Sequence, residues 1–215
     1  MIPAEQSRIT AAFAARAPVV PVLIVTDARR AGDLARALVA GGLPMLEVTL
    51  RTSAALDAIR AMADVEGGIP GAGTLLTPAD VKAAKAAGAR FGVSPGATPA
   101  LLDACAEAGL PLLPGAATVS EAMALLELGY SVQKFFPAEP SGGAPWLKAV
   151  SSPLPQVRFC PTGGISRATA PAYLSLPNVA CVGGSWVAPT DRVEAGDWAA
   201  VTALASEAAA LKRGA

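Results

Sequence analysis

Histidine is absent from this chain of 215 residues. That absence removes the side chain that proteins use most often as a general base near neutral pH and as a zinc ligand. Any acid–base chemistry in this protein must therefore rely on carboxylates, lysine, tyrosine, cysteine or water.

An excess of charge is also lacking, because 17 basic residues balance 17 acidic ones. Without a basic run interleaved with aromatic residues, nucleic acid and anionic membranes are poor candidates as partners. No stretch approaches the roughly 18 uninterrupted apolar residues of a membrane span. The N-terminal segment carries charged residues and does not resemble the apolar region of a secretory signal.

Cysteine is scarce, with Cys105, Cys160 and Cys181 as its three representatives. Their odd number and wide spacing disfavour a disulfide framework and fit a reducing compartment, so we expect a cytoplasmic protein. We expect all three to be buried as small apolar side chains.

What the chain does contain is a repeated module. A short run rich in Val, Leu and Ile ends in a polar or glycine-rich turn, an Ala-rich helical segment follows, and a glycine restarts the cycle. Eight runs alternating with helices predict parallel strands joined by right-handed crossovers. The predicted strands are residues 19–25, 45–50, 71–75, 90–94, 110–114, 131–136, 157–162 and 179–183.

Eight such units in a short chain favour an α/β fold, a single-domain (β/α)8 TIM barrel spanning residues 1–215. Residues 5–15 predict an extra helix before the first strand, so that residues 1–17 form an N-terminal helix and lead-in. An open doubly wound sheet is the alternative, and no glycine motif of the dinucleotide-binding type follows the first strand. Thr77-Pro78 and Thr98-Pro99 are typical of helix starts.

Lys134 lies in an apolar run that predicts a buried strand. Burial disfavours the charged form of a lysine, and the neutral amine is a nucleophile. On the second strand, Glu47 and Arg51 share one face with Thr49 by the period of two. Because the opposite face is apolar and should pack on helices, the polar set must point inward, so that Glu47 and Lys134 face each other. The alternative is a buried ion pair with no catalytic role.

Paired glycines end the last two predicted strands, at Gly163-Gly164 and at Gly183-Gly184. Such pairs, followed by a helix start, let backbone N–H groups approach an anion. The loops after strands seven and eight are a frequent phosphate site in barrels of this kind. Residues 161–166 and 182–186, which form these two turns, contain no lysine or arginine, so binding would depend on amides and hydroxyl groups. A pair of ordinary turns is the alternative.

In these motifs the sequence resembles the 2-keto-3-deoxy-6-phosphogluconate (KDPG) and 4-hydroxy-2-oxoglutarate (KHG) aldolases. The resemblance extends from about Pro18 to Trp198, with no departure at a motif position. The matching segments are Pro18-Val19-Val20-Pro21-Val22, Leu46-Glu47-Val48-Thr49-Leu50-Arg51-Thr52, Gly71-Ala72-Gly73-Thr74, Ser94-Pro95-Gly96, Pro114-Gly115, Lys134-Phe135-Phe136-Pro137-Ala138-Glu139, Arg158-Phe159-Cys160-Pro161-Thr162-Gly163-Gly164-Ile165 and Gly183-Gly184-Ser185-Trp186.

The resemblance implies a class I aldolase that needs no metal ion or other cofactor and forms a covalent imine. Lys134 would be the imine-forming lysine and Glu47 the carboxylate that moves protons. The remaining implied roles are carboxylate binding by Arg51 and Thr74, a substrate cavity lined by Pro95, Phe136 and Thr162, and phosphate binding by Gly163, Gly164, Gly184 and Ser185.

The reaction that the resemblance implies is cleavage of KDPG to pyruvate and glyceraldehyde 3-phosphate, with KHG as a second substrate. It also implies a homotrimer, a small keto-acid sugar phosphate as the partner molecule, and a place in the Entner–Doudoroff pathway. Three alternatives stay open: an aldolase for the C4 epimer 2-keto-3-deoxy-6-phosphogalactonate, a phosphosugar isomerase with Glu47 as base, and a non-catalytic sugar-phosphate-binding barrel. Glu139 and Lys148 are interpreted as surface or capping groups, and Arg158 as an interior ion-pair partner.

Overall fold

The computed structural model describes residues 1–214 and shows an α/β fold in which short parallel strands alternate with helices. The strands are β1 Val19–Leu23, β2 Met45–Thr49, β3 Ile69–Gly73, β4 Phe91–Val93, β5 Leu112–Leu113, β6 Gly115–Ala116, β7 Val132–Phe135, β8 Arg158–Pro161 and β9 Val182–Gly184. The helices are α1 Pro3–Ala14, α2 Ala31–Ala40, α3 Ala55–Ala63, α4 Pro78–Ala86, α5 Pro99–Ala108, α6 Val119–Glu127, α7 Gly143–Val150, α8 Ala170–Leu174, α9 Thr190–Ala195 and α10 Trp198–Ala209.

The strands pair in parallel over a curved sheet that forms at least half of a barrel. Six of them follow the order β5-β4-β3-β2-β1-β9, and three more follow the order β6-β7-β8. The last strand, β9, lies beside the first, with Val19 opposite Val182. Isolated bridges join Phe159 to Val179 and Thr162 to Gly183, between β8 and the segment of β9.

The fifth predicted strand ends at Pro114, and the structure adds a short strand, β6, directly after it. Proline has no N–H to donate to a ladder, and the chain passes there from β5, which pairs with β4, to β6, which pairs with β7. The carbonyl oxygen of Pro114 still accepts a hydrogen bond from the amide of Lys134 at 2.8 Å. The two sheets are therefore continuous along the chain at this position.

Sequence signals for the helix starts correspond to the observed caps. Thr77 and Thr118 each accept a hydrogen bond from the third residue of α4 and α6 and complete a capping box with Asp80 and Glu121. The amide of Ala117, together with Thr118, lowers the pKa of the Glu121 carboxyl. Gly109 ends α5 with a left-handed φ of 61°, a conformation that suits glycine.

Two apolar layers surround the strands. Outward side chains such as Leu46 and Val48 pack under the helices, whereas an inner cluster fills the space between the amino halves of the strands. All three cysteines are buried and unpaired, as predicted. None of the helices described in residues 1–214 is both long and apolar enough to cross a membrane.

Candidate active site

Lys134 and Glu47 form a buried ion pair inside the curve of the sheet. The Lys134 Nζ donates a hydrogen bond to Glu47 Oε1 at 3.1 Å, although the two residues, on β7 and β2, are 87 positions apart in the sequence. Lys134 is 5% exposed and Glu47 is 3% exposed. The Lys134 amine also lies 5.2 Å from the centre of the Phe136 ring, a cation–π distance. The structure therefore brings together the two residues that strand parity predicted to face each other.

The position of the Glu47 carboxylate depends on a glycine in the neighbouring strand. A Cβ atom added at Gly73 would overlap the Cγ, Cδ and Oε1 atoms of Glu47. Gly73 pairs with Thr49 in the parallel register between β2 and β3. The missing side chain at Gly73 thus leaves the volume that the carboxylate occupies.

Beneath the ion pair the interior is apolar. Met45 and Val132, two residues before Glu47 and Lys134 on their strands, belong to the inner cluster, together with Phe91 and Cys181. A hydrogen bond with Cys160 and burial raise the pKa of the Cys181 thiol well above its usual value. That thiol stays protonated and is a poor nucleophile.

Arg51 lies at the rim beside Thr74. Its Nε donates to Thr74 Oγ1 at 3.2 Å, which leaves the outer edge of the guanidinium directed away from this contact. Thr74 has a φ of 61°, the one non-glycine residue of the described chain with a positive φ. A β-branched residue in this region is strained, and such strain concentrates at ligand-binding positions.

The two glycine pairs lie next to each other at the carboxyl ends of β8 and β9. Gly163 and Gly164 have φ values of 107° and 81°, which only glycine adopts readily. A Cβ at Gly184 would overlap the Trp186 ring. The prediction that a helix start directly after each glycine pair assists anion binding is wrong. Helix α8 begins only at Ala170 and α9 only at Thr190, and both helices are short. The late start of α8 also places Arg167 in the loop after β8, where it pairs with Glu207 at 2.6 Å. The loop amides and the hydroxyl of Ser185 remain as candidate anion donors.

A cavity of about 150 Å³ opens between these loops and the rim. Phe136 connects this cavity to the ion pair, because its ring both lines the cavity and lies over the Lys134 amine. The residues lining the cavity are Val22, Ile24, Arg51, Phe136, Thr162, Gly163, Gly164, Ile165, Gly183, Gly184 and Ser185.

A larger cavity of about 200 Å³ lies between α5 and α6. It is lined mainly by apolar residues such as Leu102 and Leu128, and the carboxylate of its Glu121 accepts hydrogen bonds from the amides of Ala117 and Thr118. With that carboxylate committed to capping α6, the larger cavity offers no reactive group. The smaller one, beside Lys134, is the better candidate for chemistry.

Some residues with predicted site or interior roles have other positions. Pro95 lies against β6, where a Cβ at Gly115 would overlap its carbonyl group. Thr49, on the same strand face as Glu47, donates to the carbonyl oxygen of Leu23 at 2.9 Å and is satisfied within the sheet. The interpretation of Arg158 as an interior ion-pair partner is wrong. Arg158 is exposed at the first position of β8, where the strand enters from solvent, and donates to the carbonyl oxygen of Val179.

Sequence reasoning missed three kinds of residue around the site. Gly73 makes room for Glu47, and its place in a Gly-Ala-Gly run within a strand is the signal that could have identified it. Ile24 and Ile165 line the cavity but carry no distinguishing pattern. Glu139 is exposed, as its interpretation as a surface or capping group predicted, but the hydrogen bond that it accepts from the buried Tyr173 was not predicted.

Comparisons with known proteins point to one family. A family model described as "Aldolase: KDPG and KHG aldolase" matches residues 11–204. A 2-dehydro-3-deoxy-phosphogluconate aldolase of Pseudoalteromonas atlantica is 54% identical over 194 residues, which cover 90% of each chain.

Solved structures give the same result for the fold. The 2-keto-3-deoxy-6-phosphogluconate aldolase of Zymomonas mobilis, crystallised with 3-phosphoglycerate, is 49% identical and superposes with a TM-score of 0.92 over 96% of this chain and 98% of its own. A KDPG aldolase from Legionella pneumophila, with pyruvate captured as a covalent carbinolamine, is 46% identical with a TM-score of 0.88 over 93% of this chain and 98% of its own.

Proposed function

Because the chain belongs to the KDPG and KHG aldolase family, we propose that it cleaves KDPG to pyruvate and glyceraldehyde 3-phosphate through an imine on Lys134. The observation that carries this proposal is the buried Lys134–Glu47 pair, at 3.1 Å, beside a cavity that ends in two glycine-rich loops. KHG, which would give pyruvate and glyoxylate, is proposed as a second substrate on the family's name.

The first half of the reaction forms the imine. Glu47 accepts the proton that Lys134 must lose, and the neutral amine adds its lone pair to the C2 carbonyl carbon of the keto acid. The resulting carbinolamine loses its hydroxyl group as water, with the proton returned by Glu47. A protonated imine remains, and it replaces a metal ion as the sink for electrons.

The second half breaks the carbon–carbon bond. Glu47 removes the proton of the C4 hydroxyl, directly or through a water molecule. The C3–C4 bonding electrons then move to the imine, giving the enamine of pyruvate and the free aldehyde. Protonation at C3 and hydrolysis release pyruvate and restore the amine. One carboxylate that moves several protons suits a site in a chain without histidine.

The ends of the substrate have separate binding groups in this proposal. Arg51, oriented by Thr74, would bind the pyruvate carboxylate through paired N–H donors, a geometry that lysine cannot offer. The amides of Gly163, Gly164 and Gly184 and the Ser185 hydroxyl would bind the phosphate. Pro95, Phe136 and Thr162 would lie along the carbon chain between them.

The proposal extends to the architecture of the whole protein. A closed single-domain (β/α)8 barrel, with α1 as an extra helix, is supported by the β1–β9 pairing and the bridges from β8.

A homotrimer is supported by large apolar side chains that α6 exposes at Val119, Met123 and the adjoining Leu128. The reduced cysteines support a cytoplasmic location, and a role in the Entner–Doudoroff pathway follows from the substrate.

Trapping of the imine tests the function. The protein is incubated with pyruvate, reduced with borohydride and analysed by intact mass and peptide mapping. We expect one stable adduct on Lys134. Lys134→Ala should abolish both adduct and cleavage, whereas Lys148→Ala, at an exposed position of α7, should retain both. No adduct, or an adduct on Lys148, would refute the mechanism.

Substrate comparison separates the alternatives. An isomerase or a binding protein would produce no pyruvate from either epimer. An enzyme for the galactonate epimer would cleave that substrate with the higher kcat/KM. Similarity to relatives named as phosphogluconate aldolases favours the gluconate substrate.

A further inference from the structure

A buried hydroxyl and a carboxylate form a pair behind the loop that contains Gly163 and Gly164. The Tyr173 hydroxyl donates to Glu139 Oε1 at 2.7 Å. Tyr173 is 2% exposed, and burial, followed by the hydrogen bond to Glu139, raises the pKa of its hydroxyl. The hydroxyl therefore stays protonated near neutral pH and remains a donor to Glu139.

This pair holds both sides of the same loop. Glu139 follows β7, and its amide donates to the carbonyl oxygen of Gly163 at 3.1 Å, beside a bond from the amide of Ala138 to Thr162 at 2.9 Å. Tyr173 lies on α8, the helix into which the loop leads. The Glu139–Tyr173 contact thus closes a ring of polar contacts around residues 162–173.

Two glycines show how closely the backbone approaches the pair. A Cβ at Gly164 would overlap Cβ and Cγ of Glu139. A Cβ at Gly143 would lie 3.1 Å from the Tyr173 hydroxyl and 3.6 Å from Glu139 Oε2. Both glycines also have positive φ values. The Glu139 side chain is therefore packed directly on the backbone of Gly164, whose amide is one of the proposed phosphate donors.

From this arrangement we propose that Glu139 and Tyr173 are positioning residues that fix the Gly163–Gly164 amides for the substrate phosphate, an inference that rests on the proposed function. Neither side chain lines the cavity. A carboxylate near a phosphate would repel it, and Glu139 lies instead in a separate open cavity that Tyr173 also lines. The pair acts through geometry, without contact with substrate.

The proposal predicts an effect that depends on the phosphate group. Glu139→Ala and Tyr173→Phe should each raise KM for KDPG about tenfold, the effect of one lost hydrogen bond to a charged group. Unphosphorylated 2-keto-3-deoxygluconate should be cleaved with unchanged kcat/KM. Inhibition by inorganic phosphate should weaken in parallel with KM. Glu139→Gln keeps an acceptor oxygen and the packing on Gly164, and should stay near wild type.

Tyr130→Phe is the matched control, because Tyr130 is the other tyrosine of the chain and its buried hydroxyl donates to Gln6. It should change neither substrate. Equal losses for phosphorylated and unphosphorylated substrate in Glu139→Ala would indicate a general structural role and overturn the proposal, as would wild-type KM values. An equal effect of Glu139→Gln and Glu139→Ala would assign the effect to charge instead of geometry and also overturn it.

The same assays separate this inference from the function on which it rests. If the unaltered protein forms no pyruvate adduct, or cleaves both substrates equally well, the proposed function or its phosphate site fails. If the unaltered protein forms the adduct and prefers the phosphorylated substrate, while Glu139→Ala and Tyr173→Phe keep that preference, this inference alone fails.

Discussion

The inward faces of the strands differ between their amino and carboxyl halves. Towards the amino ends, Met45, Ile69, Phe91 and Val132 form an apolar cluster without a charged group. Two residues further on, β2 and β7 carry Glu47 and Lys134. Two residues of a strand span about 6.6 Å, so the interior changes from apolar to charged within one side-chain layer.

This difference shows how the fold buries the amine that the proposed mechanism requires. The apolar layer excludes water on the side of the ion pair that faces the amino ends of the strands. In the proposed mechanism, solvent and substrate therefore reach the ion pair from the side of the glycine-rich loops. A charge in such surroundings is costly unless it is paired, and Glu47 provides the pairing. Stability and reactivity therefore depend on different layers of the same strands, and substitutions can separate them.

Among substitutions that leave Lys134 in place, Glu47→Gln should have the largest effect, because it removes the proton acceptor from the charged layer. Loss of general acid–base catalysis lowers rates by roughly 10²–10⁴-fold, and we expect kcat for KDPG cleavage to fall within that range. Steady-state kinetics measure it, with Glu66→Gln, at an exposed position, as control. An unchanged kcat would remove Glu47 from the mechanism and leave the ion pair as a structural feature.

Gly73→Ala should come next, since it adds one methyl group where the Glu47 carboxylate lies. Its φ is not positive, so alanine fits the backbone and the effect is on the neighbour. Displacement of a catalytic group by about 1 Å can cost about 10²-fold, and we expect kcat to fall roughly 10–10²-fold. Gly32→Ala, where a Cβ meets only ordinary contacts, is the control. Wild-type kcat for Gly73→Ala would show that the carboxylate does not depend on this space.

Much of this layered arrangement could be predicted from the sequence. The period of two along residues 45–51 placed Glu47 inward, and the alternation of runs gave the order of strands and helices. Pairing across 87 residues followed from parity on both strands. These features depend on local patterns that repeat many times along the chain.

What the sequence did not reveal depends on contacts between distant segments. The room that Gly73 leaves for Glu47, and the hydrogen bond from Tyr173 to Glu139, exist only once two neighbouring units are packed together. The short strand β6 was also missed, because a glycine and an alanine after Pro114 are equally compatible with a turn. Arg158 was placed inside because parity gives the face of a residue but not its depth.

Thr74→Gly, at the rim of the charged layer, should have a smaller effect: it should raise the stability of the protein and weaken its binding of the keto acid. Glycine relieves the left-handed strain at φ 61°, and we expect stability to rise by about 0.5–1 kcal/mol after the entropy cost of glycine. Loss of the hydroxyl should raise KM for the keto acid about fivefold, since Arg51 loses the hydrogen bond that orients it. Urea denaturation and kinetics measure the two changes, and Thr74→Ser should keep the wild-type KM. A less stable Thr74→Gly would show that the conformation is not strained.

Phe91→Leu should have the smallest effect on catalysis and tests the apolar layer. The Phe91 ring packs in the space left by Gly71 and makes an edge-to-face contact with the Phe13 ring of α1, with the two ring centres 6.2 Å apart. A smaller side chain leaves a cavity there, and we expect the free energy of unfolding to fall by about 1–3 kcal/mol. Because Glu47 and Lys134 still hold each other in the layer above, kcat should stay within about twofold, the scale of a contact outside the reacting groups. Urea denaturation and steady-state kinetics on the same preparation measure the two quantities. A kcat that falls as steeply as in Gly73→Ala would mean that the two layers are coupled. The apolar cluster would then set the position of the Lys134 amine as well as exclude water from it.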